Sequence, residues 1–222
     1  MSIVALVLDL LFPPKCPFCC KLLEEGQSLL CPNCQRDLPW TQGKSGERKG
    51  EFFTLCTAPL WYRDTVRKSH HRYKFSGVRA YVRPYVALMS QCADDHLEGR
   101  FDLITWTPIS RLRRYKRGYD QAQLLAEELA RVRKMTCVPL LRKIRNTKPQ
   151  STLKGESERR ANVLGAYELC SGVSVAGKRI LLVDDVMTTG ATLSECARML
   201  LTAGASEVVC LTLAMAGEYV EK

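Results

Sequence analysis

The sequence of 222 residues predicts an α/β fold. Its core would be a mostly parallel sheet flanked by helices, and a small zinc-ribbon-like module would precede it. Two observations carry this prediction. Short apolar runs alternate with segments of helical periodicity through the second half of the chain, which is typical of a parallel sheet covered by helices. Near the N-terminus, two Cys-x-x-Cys pairs lie close together, as in small metal-stabilised modules.

The N-terminal part of the chain predicts a short amphipathic helix over residues 3–11, ended by Pro13 and Pro14. Asp9 interrupts the apolar stretch and no basic residue precedes it, so the segment differs from a secretory signal. A polar, glycine-rich linker is expected at 41–51. It would separate a module at 1–40 from the main domain at 52–222. No stretch has the apolar length of a membrane span, which predicts a soluble protein without membrane insertion.

The main domain is expected to contain strands and helices in alternation. Pro59 places the first strand at an edge or a bulge, and Asp64 is a plausible N-cap for a basic helix running toward Lys74. The expected strands cover residues 55–62, 101–107, 138–141, 166–169, 179–183 and 208–213. The expected helices begin at 64, 78, 121 and after Gly190.

Four cysteines predict a structural zinc site, because two closely spaced Cys-x-x-Cys turns supply four thiolates to a tetrahedral metal. The ligands are Cys16, Cys19, Cys31 and Cys34. Cys20 is an alternative to Cys19, and a redox role for the pairs is the less favoured interpretation. The other six cysteines lie in apolar patterns and are expected in the core. These are Cys56, Cys92, Cys137, Cys170, Cys196 and Cys210.

The net charge of +10 is concentrated in one segment. Residues 111–160 hold 15 Lys and Arg against 5 Asp and Glu, which accounts for the whole excess. Such a region indicates a polyanionic ligand, either a pyrophosphate group or a nucleic acid backbone. A solvated basic face without a partner is the alternative.

The most informative segment is 183–192, where an apolar strand ends in Asp184 and Asp185 and a hydroxyl-rich turn opens a helix. The helix N-terminus and the threonine hydroxyls suit a phosphate, and two carboxylates suit a vicinal diol. The two aspartates point in opposite directions if the strand persists. The segment lacks the glycines and lysine of a Walker loop or a dinucleotide fingerprint. An acid pair that only caps a helix is the other interpretation.

This segment resembles the phosphoribosyl pyrophosphate (PRPP) signature of type I phosphoribosyltransferases. The resemblance implies that Asp184 and Asp185 hold the ribose hydroxyls, as the catalytic pair, and that the loop wraps the 5-phosphate. It also implies that the turn after the 101–107 strand holds pyrophosphate through backbone amides, with Arg114 and Arg117 as possible additions. The PRPP-binding residues are then Thr107, Pro108, Ile109, Ser110, Arg111, Val186, Met187, Thr188, Thr189, Gly190, Ala191 and Thr192.

A polar, basic stretch at 145–160 has the composition of a mobile lid, which would exclude water from an oxocarbenium-like transition state and bring cations to the leaving group. The lid residues proposed to contact the ligand are Gln150, Lys154, Arg159 and Arg160. The three histidines lack partners at ligand spacing and are expected on helix surfaces. These are His70, His71 and His96.

The chain as a whole resembles the ComF family, which joins a four-cysteine zinc module to a phosphoribosyltransferase-like domain. The resemblance is carried by the two Cys-Pro-x-Cys pairs, the 183–192 segment and the stretches at 73–77, 117–121, 147–153 and 160–163. Asp120 departs from the family, which usually has Asn there. The family implies a bacterial cytoplasmic protein acting in competence and DNA uptake or utilisation.

Three functions remain open from the sequence. The chain is a phosphoribosyltransferase that displaces pyrophosphate from magnesium-bound PRPP, a single-stranded-DNA-binding protein that works with other DNA-uptake proteins, or a regulatory PRPP sensor. Three aromatic residues near the charged segment are available for base stacking, with core packing as the alternative. These are Trp106, Tyr115 and Tyr119.

Overall fold

The structure is a computed structural model that describes residues 13–24, 29–148, 152–153 and 155–217. The helix expected at 3–11 and the lid residues Gln150 and Lys154 lie outside these residues. Within the described ranges, no helix combines the length and the apolar character that a bilayer crossing requires.

Strands and helices alternate along the described chain. The strands are β1 (Glu47–Arg48), β2 (Leu55–Thr57), β3 (Leu60–Trp61), β4 (Leu103–Trp106), β5 (Leu141–Lys143), β6 (Tyr167–Leu169), β7 (Arg179–Met187) and β8 (Glu207–Met215). The helices are α1 (Pro32–Asp37), α2 (Asp64–Phe75), α3 (Val82–Leu97), α4 (Arg111–Arg117), α5 (Gln121–Arg133), α6 (Glu156–Val163) and α7 (Ala191–Thr202).

Six strands form the main sheet, in the order β1-β2-β8-β7-β4, with β3 also paired to β8. All pairings are parallel except that of β1 with β2. β7 and β8 are the central strands, and their runs of buried apolar residues explain why they lie inside the sheet. The fold class expected from the sequence is confirmed.

The side chains of β7 and β8 alternate between two apolar layers, as the pleat of a strand requires. Leu181 and Val183 pack with α2, α3 and α5 on one face, whereas Ile180 and Leu182 pack with α7 and the β5–β6 hairpin on the other. The cysteine module belongs to the first layer, through residues such as Phe18. The main core therefore has two sides, and each side ends at a different wall of the site described below.

β7 continues four residues beyond its expected end at Val183. Val186 and Met187 pair with Ala214 and Met215 of β8, so Asp184 and Asp185 lie within the strand and not in the loop after it. Because the strand persists, the two carboxylates lie on opposite faces of the sheet.

Three other elements differ from expectation. The run at 55–62 forms two short strands, β2 and β3, with a break at Ala58 and Pro59. The segment at 41–51 includes β1, which pairs with β2 at the sheet edge, so part of the expected linker belongs to the sheet. The strand expected at 138–141 lies instead at β5, in a two-stranded hairpin with β6 outside the main sheet.

The cysteines outside the first module follow the core prediction in part. Four are buried, whereas Cys137 and Cys170 are half-buried. The buried ones are Cys56, Cys92, Cys196 and Cys210.

Candidate functional site

The carboxyl ends of β4 and β7 open into a cleft of about 1380 Å³. Ligands of parallel sheets bind at this end, because the loops that follow neighbouring strands converge there. One wall is α2, the other is the β5–β6 hairpin, and the floor is the 184–193 segment with the turn after β4.

The cleft carries an excess of positive charge, since nine Lys or Arg residues line it against four Asp. Such a concave surface attracts polyanions. The basic residues are Arg67, Lys68, Arg72, Lys74, Arg113, Lys116, Arg117, Lys143 and Arg159, and the acidic ones are Asp64, Asp120, Asp184 and Asp185.

Asp185 is anchored to α2. Its Oδ2 lies 2.9 Å from His70 Nε2 and 3.6 Å from Lys74 Nζ. With Nε2–H donated to the carboxylate, the other ring nitrogen of His70 accepts the hydroxyl proton of Tyr62 at 3.1 Å. Asp185 Oδ1 also accepts the backbone N–H of Val186. Burial alone would favour the neutral acid, but the charge of Lys74 and the contact with His70 outweigh it and hold the pKa of Asp185 below its usual range.

The structure corrects the expectation for His70. Its side chain is 5% exposed and bonded to Asp185, whereas the sequence placed it on a helix surface. His71 lines the cleft against Phe75, and His96 Nδ1 lies 2.9 Å from Glu47 Oε1. His70 and Lys74 are site residues that the sequence alone did not predict, although Lys74 lies in the 73–77 stretch that carries part of the family resemblance.

Asp184 has a different environment. It lies on the opposite face of β7, and its pKa is raised by burial and by the negative charge of Asp185, in spite of a hydrogen bond from the Thr107 side chain. Within the described residues, no Lys, Arg or His nitrogen lies within 4.0 Å of the Asp184 carboxylate. The two adjacent acids therefore differ in their readiness to ionise.

Lys143 and Tyr167 of the hairpin line the cleft on the Asp184 side. Lys143 Nζ donates to the Tyr167 hydroxyl at 3.0 Å and lies over the ring at 4.8 Å. Burial, and secondarily the charge of Arg113, lower the pKa of Lys143 to about 8. No local pattern in the sequence indicates this residue, because β5 and β6 form a separate two-stranded sheet that packing brings to the site.

The loop after β7 leads into a helix, α7, whose N-terminus has no side-chain cap. Gly190 at its N-cap position has the left-handed angles φ 76 and ψ 1. Thr188, Thr189 and Thr192 line the same end of the cleft. Unpaired N–H groups at a helix start favour an anion. Val186, Met187, Gly190 and Ala191 also line the cleft.

The turn after β4 agrees less well with the sequence expectation. Thr107 donates its N–H to Val183 O, Pro108 has none, and Ile109 donates its N–H to the buried Asp120 carboxylate at 2.9 Å. Two of the amides expected for pyrophosphate are thus engaged within the protein. Ser110 hydrogen-bonds to Asn146, and neither Ser110 nor Arg111 is among the residues that line the cleft.

The basic side chains around this turn divide into two groups. Arg113 and Arg117 line the cleft and Arg114 does not. Arg159 also lines it, next to Thr152. In contrast, Arg160 forms ion pairs with Glu51 and Glu156 outside the cleft. These contacts favour Arg159 over Arg160 as a lid cation.

The four predicted zinc ligands converge. The sulfurs of Cys16, Cys19, Cys31 and Cys34 all lie within 4.8 Å of one another. Sulfurs at about 2.3 Å from a tetrahedral zinc would be about 3.8 Å apart, so the cluster fits the metal after a small contraction. The cysteines of the cluster differ in acidity: backbone N–H donors outweigh burial and lower the pKa of Cys16 to about 7, whereas burial and neighbouring sulfurs raise the pKa of Cys19 and of Cys34.

The alternative ligand Cys20 is turned away from this cluster. Its backbone has a left-handed φ of 63°, and its sulfur lies 3.8 Å from the Tyr81 hydroxyl. The geometry therefore selects Cys19.

Two family models match the chain. One, described as a phosphoribosyl transferase domain, matches residues 116–222, and one described as a double zinc ribbon domain matches residues 7–58. The intervening residues 59–115, which include α2, lie outside both matches.

Curated relatives match most of the chain. Competence protein F of Haemophilus influenzae is 34% identical over 91% of this chain and 97% of its own length. Competence protein ComFC of Streptococcus pneumoniae is 30% identical over 86% of this chain and 90% of its own length. Among solved structures, adenine phosphoribosyltransferase from Thermoanaerobacter pseudethanolicus is 18% identical over 62% of this chain and 82% of that chain, with a TM-score of 0.38.

Proposed function

This chain belongs to the ComF family of competence proteins, and we propose that it binds PRPP in the cleft and transfers its phosphoribosyl group to an acceptor. The main support for this proposal is the pair Asp184 and Asp185, which lies at the carboxyl end of a central parallel strand and beside a helix N-terminus without a side-chain cap. The excess of cations around the pair supports a substrate with several phosphates.

Each group of the substrate has a counterpart in the cleft. Asp184 and Asp185 accept hydrogen bonds from the ribose hydroxyls, and the N-terminus of α7 with its threonines receives the 5-phosphate. Magnesium enters with PRPP as its salt. When the bond between C1 and the pyrophosphate oxygen breaks, the electron pair leaves with pyrophosphate, and Arg113, Arg117 and Lys143 stabilise that charge. The acceptor then forms its bond to C1 with its own electron pair and loses its proton to solvent.

Calorimetric titration with magnesium and PRPP tests this proposal. We expect saturable binding by the wild type, and a loss of at least about 100-fold in affinity when both Asp184→Asn and Asp185→Asn are present, since the charge-assisted contact of Asp185 and the contact of Asp184 are both lost. Arg36→Ala, in the cysteine module, is the matched control. A wild type that gives no heat of binding would refute the proposal.

Pyrophosphate release with a panel of nucleobases and nucleosides then separates an enzyme from a sensor. Release that depends on both aspartates supports transfer. Tight PRPP binding without release by any acceptor supports the sensor and contradicts the transferase.

A second function, binding of single-stranded DNA, is favoured by α4. None of its seven residues is buried, five of them are Lys or Arg, and Tyr115 is 88% exposed. An exposed ring among cations is a platform on which a base stacks. Trp106 and Tyr119 are buried, so they belong to the core and not to such a platform.

If the chain binds single-stranded DNA, its affinity for an oligonucleotide should fall steeply as the salt concentration rises. Tyr115→Ala should bind the same oligonucleotide about 10-fold more weakly than the wild type. Tyr115→Phe keeps the ring and should retain affinity. Flat salt dependence, or equal binding by both variants, would contradict this second function.

A further inference from the structure

Helix α2 lies between the cysteine module and the acid pair. On the side of the cleft, its residues His70 and Lys74 contact Asp185. They are four residues apart and therefore share one face of the helix. This face fixes the position of one of the two carboxylates that the proposed function assigns to ribose.

The neighbouring face of α2 is bonded to the first Cys-x-x-Cys turn. Arg72 Nη2 donates to Pro17 O and to Phe18 O, each at 2.8 Å. Ser69 Oγ donates to Pro17 O at 2.5 Å. Both carbonyls belong to the residues between Cys16 and Cys19, so their direction depends on the closure of this turn.

Packing reinforces these hydrogen bonds. Phe18 is 2% exposed and its ring lies 5.7 Å from that of Tyr85. The Tyr85 hydroxyl in turn contacts Ser69 Oγ at 2.5 Å, and the Arg72 guanidinium also donates to the Tyr81 hydroxyl at 3.2 Å. The turn is thus bound to α2 by the Arg72 guanidinium and the Ser69 hydroxyl, while the buried Phe18 ring packs on Tyr85 of α3.

A helix of three turns moves as one body, because its backbone hydrogen bonds hold successive residues together. A shift of Arg72 by the loss of its two carbonyl acceptors would therefore displace His70 and Lys74 from Asp185. The Cys16 to Cys19 turn is closed by a backbone hydrogen bond from Cys20 N to Cys16 O at 2.9 Å. The four sulfurs fit zinc, so a bound metal would add bonds to Cys16 and Cys19 and hold the turn more firmly.

We propose that Arg72 is a positioning residue for the sugar site, through which the metal state of the cysteine module sets the affinity for PRPP. The proposal rests on the proposed function, since it concerns the same Asp185. It assigns the module a role in ligand binding besides its contribution to folding.

The experiment uses the full chain with zinc bound. Zinc content, the side-chain NMR signal of His70 at one pH, and calorimetric PRPP affinity are measured for the wild type, Arg72→Ala, Arg72→Lys and Arg36→Ala. Arg36 is the matched control, because it is an exposed arginine of the same module and forms its ion pair with Asp37 and not with α2.

We expect Arg72→Ala to keep one zinc per chain, to shift the His70 signal and to weaken PRPP binding about 10-fold, a typical size for coupling between two sites. Arg72→Lys keeps one donor and should give an intermediate loss, while Arg36→Ala should match the wild type. Because Arg72 itself lines the cleft, a loss of affinity without a shift of the His70 signal would be a direct effect on the ligand and would overturn the inference. Unchanged affinity with an unchanged His70 signal would overturn it as well.

Removal of zinc from the wild type by a chelator gives a second test that needs no variant. We expect the same shift of the His70 signal as in Arg72→Ala, whereas an unchanged signal after complete removal contradicts the inference. If the wild type binds no PRPP, the proposed function fails, but the response of His70 to zinc still decides whether the module positions α2.

Discussion

The two sides of the acid pair differ although the two residues are chemically identical neighbours. On the α2 side, Asp185 is held by His70 and Lys74, and the cysteine module supports the helix from behind. On the hairpin side, Asp184 receives a hydrogen bond from Thr107 but no cation within ion-pair distance among the described residues.

The difference follows from the pleat of β7, which directs successive side chains to opposite layers. The two acids therefore have different roles: Asp185 stays ionised, whereas the protonation state of Asp184 depends on its surroundings. A fixed anion suits a permanent acceptor for a sugar hydroxyl, whereas the second carboxyl responds to pH and to the charge that a ligand brings.

Loss of zinc from the cysteine module should have the largest effect on stability, and the effect should be confined to the α2 side of the acid pair. Cys19→Ser removes a ligand from a site whose metal contributes about 10 kcal/mol in small modules, so we expect zinc binding to be lost and amide exchange in α2 to rise. Cys20→Ser is the control and should keep one zinc per chain. Hydrogen exchange measured by mass spectrometry checks this, and an equal rise in the β5–β6 hairpin would contradict the two-sided comparison.

Replacement of each aspartate should change stability in opposite directions. Asp185→Asn breaks a buried ion pair and should cost about 3 kcal/mol at pH 8. Since the folded pKa of Asp185 is lowered, its stabilisation is present above the ordinary carboxyl pKa and is lost as the pH falls.

Asp184→Asn should stabilise the protein at pH 8 by about 1 kcal/mol, or about 2–4 °C in Tm. The folded pKa of Asp184 is raised, so the wild type loses stability as the pH rises through that value, and the amide does not. The gain should therefore shrink toward pH 4. Thermal unfolding at both pH values checks it, and two variants that shift Tm in the same direction would remove the distinction between the acids.

The charge of Lys143, on the Asp184 side of the cleft, should make the affinity for PRPP depend on pH. The pKa of Lys143 is about 8, so this residue is cationic below that pH and increasingly neutral above it. PRPP affinity should therefore fall about 10-fold between pH 7 and pH 9 as one charge-assisted contact is lost. Lys143→Gln should bind more weakly at pH 7 and show a smaller fall, because only the ionisation of Asp184 would then remain in this range. A wild-type affinity that is constant over the range would place Lys143 outside the ligand contacts.

The sequence predicted those parts of the site that are local in the chain. The four cysteines, the acid pair and the helix after Gly190 each have a pattern within about twenty residues, which is why their geometry agreed with expectation. The alternation of Asp184 and Asp185 also followed from strand geometry alone.

The contacts that distinguish the two acids were not predictable in this way. His70 lies 115 residues before Asp185, and a histidine within a basic helical pattern gives no sign of its distant partner. Likewise, the apolar run before β5 predicted a strand but not the sheet that it would join, so Lys143 and Tyr167 were missed. Tertiary packing decided both.

The smallest expected effect separates two adjacent arginines on the hairpin side. Arg159 lines the cleft, whereas Arg160 pairs with Glu51 and Glu156 outside it. Arg159→Ala should weaken PRPP binding about 5-fold, because one partly solvated charge contact is lost. Arg160→Ala should leave the affinity within about 2-fold of the wild type, since its exposed ion pairs contribute little. Titrations of both variants with PRPP at low and moderate salt check the difference. A larger loss of affinity in Arg160→Ala than in Arg159→Ala would mean that the segment after β5 rearranges when the ligand binds.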